Sequence, residues 1–128
     1  MPQKGEPMAL ILFVDDDPYT LVTLTKAVEV LGHHAITAST IQEAITLASE
    51  RSPDLIFTDM RLSDKVGTTL INQLKSQEST ANIPTFVLSA SPDVADVSDV
   101  QDTGAIAYLD KPIRLDTLFN IIKEYTAR

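Results

Sequence analysis

The 128-residue chain contains no cysteine. Disulfides, thiolate metal centres and cysteine nucleophiles are therefore excluded. Histidine is almost as scarce. His33 and His34 are the only two, adjacent and directly after Gly32, an arrangement that reads as a turn into a strand and not as the spaced ligands of a zinc site. Positive charge is also in short supply: 10 Lys and Arg stand against 18 Asp and Glu, for a net charge of −8. Such a surface repels phosphate backbones and argues against direct nucleic-acid binding. The same acidity can serve solubility, or attract a divalent cation or a basic partner. No apolar run approaches the ~18 residues needed to cross a membrane. The opening residues MPQKGEPM hold two prolines and a glycine and have no signal-peptide core behind them. They read as a flexible arm, residues 1–8, ahead of one domain at 9–128. A cytoplasmic protein is the default expectation.

What the chain does have is a regular alternation. Short apolar runs rich in branched residues occur at ALILFV (9–14), HAITA (34–38), DLIFT (54–58), TFVLS (85–89) and IAYL (106–109), and read as strands. Helical spacing separates them. Leu21, Leu24, Val28 and Leu31 mark one helix, stopped by Gly32. Ile41, Ala44, Ile45 and Ala48 mark a second, with Thr40 and Glu43 forming a capping box. Leu70, Ile71 and Leu74 mark a third, Val94, Val97 and Val100 a weaker fourth, and Leu115, Leu118, Phe119 and Ile122 a fifth. Five strand–helix units predict an α/β domain with a five-stranded parallel sheet and helices on both faces. In such folds a site forms beyond the carboxyl ends of the strands.

Those strand ends carry the unusual polar residues. The first run enters Asp15-Asp16-Asp17, the third enters Asp59, the fourth ends at Ser89, and the fifth runs into Asp110-Lys111-Pro112. Carboxylates a few ångströms apart cannot all stay ionised without a cation. Oxygen ligands without His or Cys favour Mg²⁺ or a similar hard ion. If the first and third strands are neighbours, ~4.8 Å apart, Asp16 and Asp59 come within reach of one ion. A lysine and a hydroxyl beside them complete a cradle for phosphoryl oxygens, with a carboxylate as acceptor. Asp17 stands apart: followed by Pro18, it reads as the N-cap of the first helix.

Taken in order, ILFVDDDP, the run from Asp59 to Gly67 (DMRLSDKVG), LSA at 88–90 and GAIAYLDKP at 104–112 resemble the receiver domain of bacterial two-component response regulators, from about Leu10 to Tyr125. The resemblance implies a flavodoxin-like doubly wound fold with strand order 2-1-3-4-5. It implies Asp59 as phosphoacceptor, Asp16 as a direct Mg²⁺ ligand, Asp15 acting on the metal mainly through water, and the backbone carbonyl of Arg61 as a further ligand. Ser89 and Lys111 correspond to the phosphoryl-binding pair, with Lys111 first paired to the acceptor. Tyr108 corresponds to the aromatic that rotates inward when the Ser89 hydroxyl moves. Pro112 follows the lysine through a bond that is often cis, and Gly67 keeps the turn into the third helix.

Two positions depart from the family pattern. Ser63 stands where a proline is usual, and Val66-Gly67 where Asp-Gly is common, so the loop has less covalent restraint. In the family the positions of Arg61 and Ser91 flank the path of hydrolytic water; neither is expected to activate water strongly here, so the expectation is an Asp59 phosphate that is not unusually short-lived. The implied function is acceptance of a phosphoryl group from a phosphohistidine of a sensor kinase or phosphotransfer protein, followed by a conformational switch. Self-phosphorylation and autodephosphorylation are its only turnover, so it is not an enzyme in the usual sense. The output face includes SPDVADVSDVQDTG, with four Asp and no Lys or Arg, suited to a cationic partner, a self-dimer or a solvated surface. Other readings are a degenerate receiver that only binds a partner, which intact Asp16, Asp59, Ser89 and Lys111 oppose, and a flavin-binding relative. No phosphate-binding loop supports the latter. A stand-alone regulator and a fragment of a longer kinase or transcription factor remain equally open.

Overall fold

A computed structural model describes residues 8–62, 65–89 and 104–126. Along the chain run β1 (Leu10–Val14), α1 (Pro18–Val30), β2 (His34–Ala38), α2 (Ile41–Arg51), β3 (Leu55–Asp59), β4 (Arg61–Leu62), β5 (Lys65–Val66), α3 (Gly67–Lys75), β6 (Thr85–Ser89), β7 (Ala107–Asp110) and α4 (Leu115–Thr126). The five longer strands form one sheet in the order β2-β1-β3-β6-β7, parallel throughout. Counting those five alone, this is the expected 2-1-3-4-5. Four helices lie among the described residues. The expected helix around Val94, Val97 and Val100 lies outside them, as does nearly all of the expected arm at 1–8.

The pleat of β1 divides the core. Ile11 and Phe13 point to the face covered by Leu24 and Val28 of α1 and by Leu118 and Ile122 of α4. Leu12 and Val14 point the other way, onto Ile41, Ala44, Ile45 and Ala48 of α2 and Leu70 and Leu74 of α3. Successive side chains of a strand point to opposite faces, so a strand covered on both must be apolar without interruption. This is why LILFV is continuous and the half-exposed β2 is not. Phe13, Phe57 and Phe86 stand in register across three strands. Their rings stack at 5.6 and 5.2 Å, and Tyr125 of α4 closes the row edge-on at 5.4 Å, within the range where aromatic pairs add to simple burial.

Local chemistry ends the helices where the sequence indicates. Asp17 caps α1 by accepting from the Tyr19 N–H at 3.2 Å and from the Thr20 hydroxyl at 2.7 Å, with Pro18 at the first helical position. At the far end the Gly32 N–H donates to Glu29 and the His33 N–H to Val28. These are the two bonds of a Schellman motif, and Gly32 supplies the left-handed φ of 86° that they require. Thr40 caps α2 by accepting from the Glu43 N–H at 3.1 Å, while the Glu43 carboxylate accepts from the Ser39 N–H at 2.8 Å. The return bond thus lands one residue before its usual partner in a capping box. The antiparallel β4–β5 ribbon between Asp59 and α3 is not legible in the sequence, because strands of two residues carry no periodicity. Among the described residues no helix is long and apolar enough to cross a membrane.

Candidate functional site

The sheet ladders run one step past each strand and fix the residues that follow. The Asp15 N–H donates to Ala38 at 3.0 Å, the Met60 N–H to Leu88 at 2.8 Å, and the Lys111 N–H to Ser89 at 2.9 Å. Val14 faces Thr58, which brings the next residues, Asp15 and Asp59, to the same sheet edge. Asp59 in turn faces Leu88, and Ser89 faces Asp110. Four strand ends separated widely in sequence therefore meet at one rim.

At that rim one carboxylate oxygen from each of Asp15, Asp16 and Asp59 lies within 4.8 Å of the others. Their environments differ. Asp15 is buried, Asp59 half-buried and Asp16 exposed. Asp15 is committed on both oxygens: Oδ1 accepts from the Asp17 N–H at 2.9 Å, and Oδ2 pairs with Lys111 Nζ at 2.5 Å. The same ammonium stands 3.4 Å from Asp59 Oδ2. Lys111 thus bridges the cluster, and its closer partner is Asp15. The expected pairing with Asp59 is present as the longer of two contacts, and the Asp15 pair, between residues 96 apart in the chain, was not anticipated. No local signal reveals it, since it depends on which face of the cluster the lysine approaches.

Burial pulls the Lys111 pKa down, but the hydrogen bond from Lys111 to Asp15 and the charges of Asp59 and Asp15 outweigh it and leave it above the ordinary lysine value. The ammonium is therefore a fixed positive charge at neutral pH. Asp17 turns away from this cluster into its capping role, as expected.

The donor set suits a hard divalent cation. It consists of oxygens only, with no His or Cys among the clustered ligands. Oxygens on opposite vertices of a Mg²⁺ octahedron lie about 4.2 Å apart, given ligand distances of about 2.1 Å. The three carboxylate oxygens, all within 4.8 Å of one another, are thus spaced on the scale of such an octahedron. Three protein carboxylates leave further positions for water or substrate oxygen, as Mg²⁺ prefers.

The other anticipated residues fall as follows. Ser89 is 7% exposed at the end of β6. Tyr108 faces Val87 in register and packs against Met60, Ile71 and Val87. Its hydroxyl is buried and makes no hydrogen bond among the described residues. The Lys111–Pro112 peptide is cis. Gly67 begins α3, and the backbone of Arg61 begins β4 directly after Met60. Ser63 and Ser91 lie outside the described residues.

A groove of about 440 Å³ opens beside the cluster. It runs from Lys111 and Pro112 along Tyr19, Thr23 and Ala27 of α1 to Leu115 of α4. Tyr19 is 82% and Leu115 53% exposed, so its rim is apolar and open.

Comparison with known proteins agrees with this geometry. Transcriptional regulatory protein KdpE of Mycobacterium tuberculosis is 36% identical over 109 residues, covering 85% of this chain and 47% of its own length. The chain therefore spans about half of that relative. Polar-differentiation response regulator DivK of Brucella ovis is 29% identical over 115 residues, covering 90% of this chain and 94% of DivK. The crystal structure of a two-component response regulator from Clostridium difficile superposes with a TM-score of 0.86 at 26% identity, covering 94% of this chain and 98% of the other. Residues 11–123 match the sequence profile of the response regulator receiver domain, and the chain belongs to that family.

Proposed function

We propose that the domain receives a phosphoryl group on Asp59 from a phosphohistidine of a sensor kinase or phosphotransfer protein. The observation that carries this reading is the juxtaposition of Asp15, Asp16 and Asp59 within 4.8 Å with Lys111 at 3.4 Å from Asp59. An Asp59 carboxylate oxygen attacks phosphorus while the P–N bond of the donor breaks and its electron pair returns to the imidazole. The product is an acyl phosphate on Asp59 and a free histidine. There is little covalent work for the protein beyond alignment and charge neutralisation.

Asp15 and Asp16, with Asp59 and the backbone carbonyl of Arg61, would hold a Mg²⁺ ion. Bound there, the ion supplies charge neutralisation between the acceptor and the incoming phosphoryl oxygens. Lys111 would donate to one phosphoryl oxygen and the Ser89 hydroxyl to another. Hydrolysis later reverses the acyl linkage: water attacks phosphorus, Asp59 departs as a carboxylate, and inorganic phosphate leaves. The domain thus acts only on its own acyl phosphate. The groove beside Lys111 and Tyr19 would seat the phosphodonor protein, because its apolar rim begins at the acceptor site. Movement of Ser89 toward the phosphoryl group would be followed by Tyr108 on the neighbouring strand, whose buried hydroxyl, without a hydrogen bond among the described residues, supports a side chain able to move.

Beryllofluoride, a phosphoryl mimic, tests the reading. With Mg²⁺ it is expected to shift NMR signals of Asp59, Ser89, Lys111 and Tyr108 in the native protein and to leave Asp59→Asn unchanged. An identical response in Asp59→Asn, or no response near residue 59, refutes the phosphoacceptor assignment.

A further inference from the structure

Among the described residues β2 pairs with β1 alone, so its other side is a sheet edge. The His34 N–H donates to Ala9, and the Ala38 carbonyl accepts from the Asp15 N–H. Along a parallel strand, residues bonded to one neighbour alternate with residues that turn away from it. His34, Ile36 and Ala38 therefore serve β1, and the N–H and C=O groups of Ala35 and Thr37 point outward. Natural edges are blunted by lysine, proline or a bulge. HAITA contains no proline and no Lys, Arg, Asp or Glu, and every residue of it keeps register with β1. The helix over this edge has a matching flank. Leu21, Val22, Thr25, Lys26 and Glu29 of α1 line a hollow of about 210 Å³ together with Thr37, and Val22 is 52% exposed.

We propose that two copies of this chain join by antiparallel pairing of their β2 edges, about a twofold axis at Ile36. In that register Ala35 of one copy faces Thr37 of the other, and each such pair exchanges both of its N–H···O=C bonds. Half-buried Ile36 meets its own counterpart as the close, non-hydrogen-bonded pair. α1 lies across β1 and β2. With strands ~4.8 Å apart, the two copies of α1 run antiparallel about 10 Å from each other, an ordinary helix-packing distance. The hollow flank of each helix then faces the other. Lys26 and Glu29 stand one turn apart on that flank and are both exposed, so antiparallel helices set Lys26 of each copy against Glu29 of the other. This pattern is complementary to itself, as a twofold interface requires, and it selects a second copy as the occupant. The groove beside Lys111 lies on the opposite flank of α1 and stays open in such a dimer.

Sedimentation velocity over a concentration series reads the association. The native protein is expected to dimerise with a Kd of roughly 10–100 μM, and one still monomeric at about 1 mM overturns the proposal. Thr37→Pro deletes an outward N–H and leaves the donors to β1 intact; it is expected to weaken the dimer about tenfold or more. Should that variant fold poorly, surface charge gives a second reading. Lys26→Glu sets like charges together and is expected to weaken association about tenfold, and adding Glu29→Lys is expected to restore it. Native association in Lys26→Glu, or no recovery in the double variant, overturns the proposal. Location is read by NMR on mixed ¹³C-labelled and unlabelled protein. Intermolecular NOEs are expected between Ile36 side chains, and a dimer that lacks them overturns the proposal.

Discussion

Lys111→Met removes the charge and keeps most of the apolar stem, which isolates what the ammonium does for the metal-free fold. Asp15 would be left without its ammonium partner and almost sealed from water, its side chain 4% exposed, with Asp16 and Asp59 oxygens within 4.8 Å. Breaking a buried ion pair by deleting one partner costs about 3–5 kcal/mol. Lys111 is 19% exposed, so some water replaces it, and about 2–3 kcal/mol is the expected loss. With a urea slope of roughly 2 kcal/mol per molar for a domain of this size, the unfolding midpoint in EDTA should fall by about 1–1.5 M. The cause is identified by adding Asp15→Asn. Once both charges are gone no uncompensated carboxylate remains at residue 15, and most of the loss should return, for a coupling energy of about 2 kcal/mol. An unchanged midpoint in Lys111→Met, or a coupling below about 0.5 kcal/mol, would refute the argument that Asp15 depends on Lys111.

Three other expectations concern the helix ends and are checked by simpler means. Thr40→Ala removes the side-chain acceptor for the Glu43 N–H and should cost about 1 kcal/mol in urea unfolding, with no change in slope. Gly32→Ala places a Cβ on a residue with φ of 86° and should cost about 1–2 kcal/mol; thermal unfolding that matches the native protein would argue against the Schellman geometry. The Asp17 carboxyl is held below the ordinary aspartate value, chiefly by the hydrogen bond from the Thr20 hydroxyl and further by the Tyr19 and Thr20 N–H groups. Its folded pKa is depressed, so the cap is complete above the ordinary value and is lost as pH falls through the lower folded one. The Tyr19 amide signal should titrate only below the ordinary aspartate range, and a transition at or above that range would contradict the capping geometry.

The groove beside Lys111 bears on what such a domain would exchange phosphate with. On the proposed reading, a groove that runs from Lys111 and Pro112 along α1 would offer a partner helix apolar contact area beside the site. The net charge of −8 would then favour a partner with basic residues at its rim. Relatives differ in length: DivK is nearly matched end to end, while KdpE extends well beyond the matched segment. A receiver domain of this kind therefore matches both a relative of nearly its own length and part of a longer one.

Much of this architecture can be read from particular stretches of sequence. LILFV announces a strand buried on both faces, because only unbroken apolar residues satisfy two helical layers at once. Asp17-Pro18, Gly32 and Thr40 announce helix ends, because each supplies a backbone group or a dihedral that the neighbouring residues cannot. The strand-end positions of Asp15, Asp59, Ser89 and Lys111 announce a site, because parallel strands deliver their carboxyl ends to one edge. Local chemistry acts over a few residues and leaves its signature there.

The rest belongs to the tertiary structure. Which strands are neighbours, and hence that Asp15 and Asp59 share a rim, has no local signature: only the family resemblance implied the order that the sheet adopts. The two-residue strands after Asp59 arise from a loop folding back on itself and have no pattern to read. Above all, the partner of Lys111 was settled by distance in space. The acidic cluster is written plainly as three aspartates, but their unequal burial is not, and it is the buried one, Asp15, that needs the ammonium most. Electrostatic pairing follows desolvation and approach, which only the packed chain establishes.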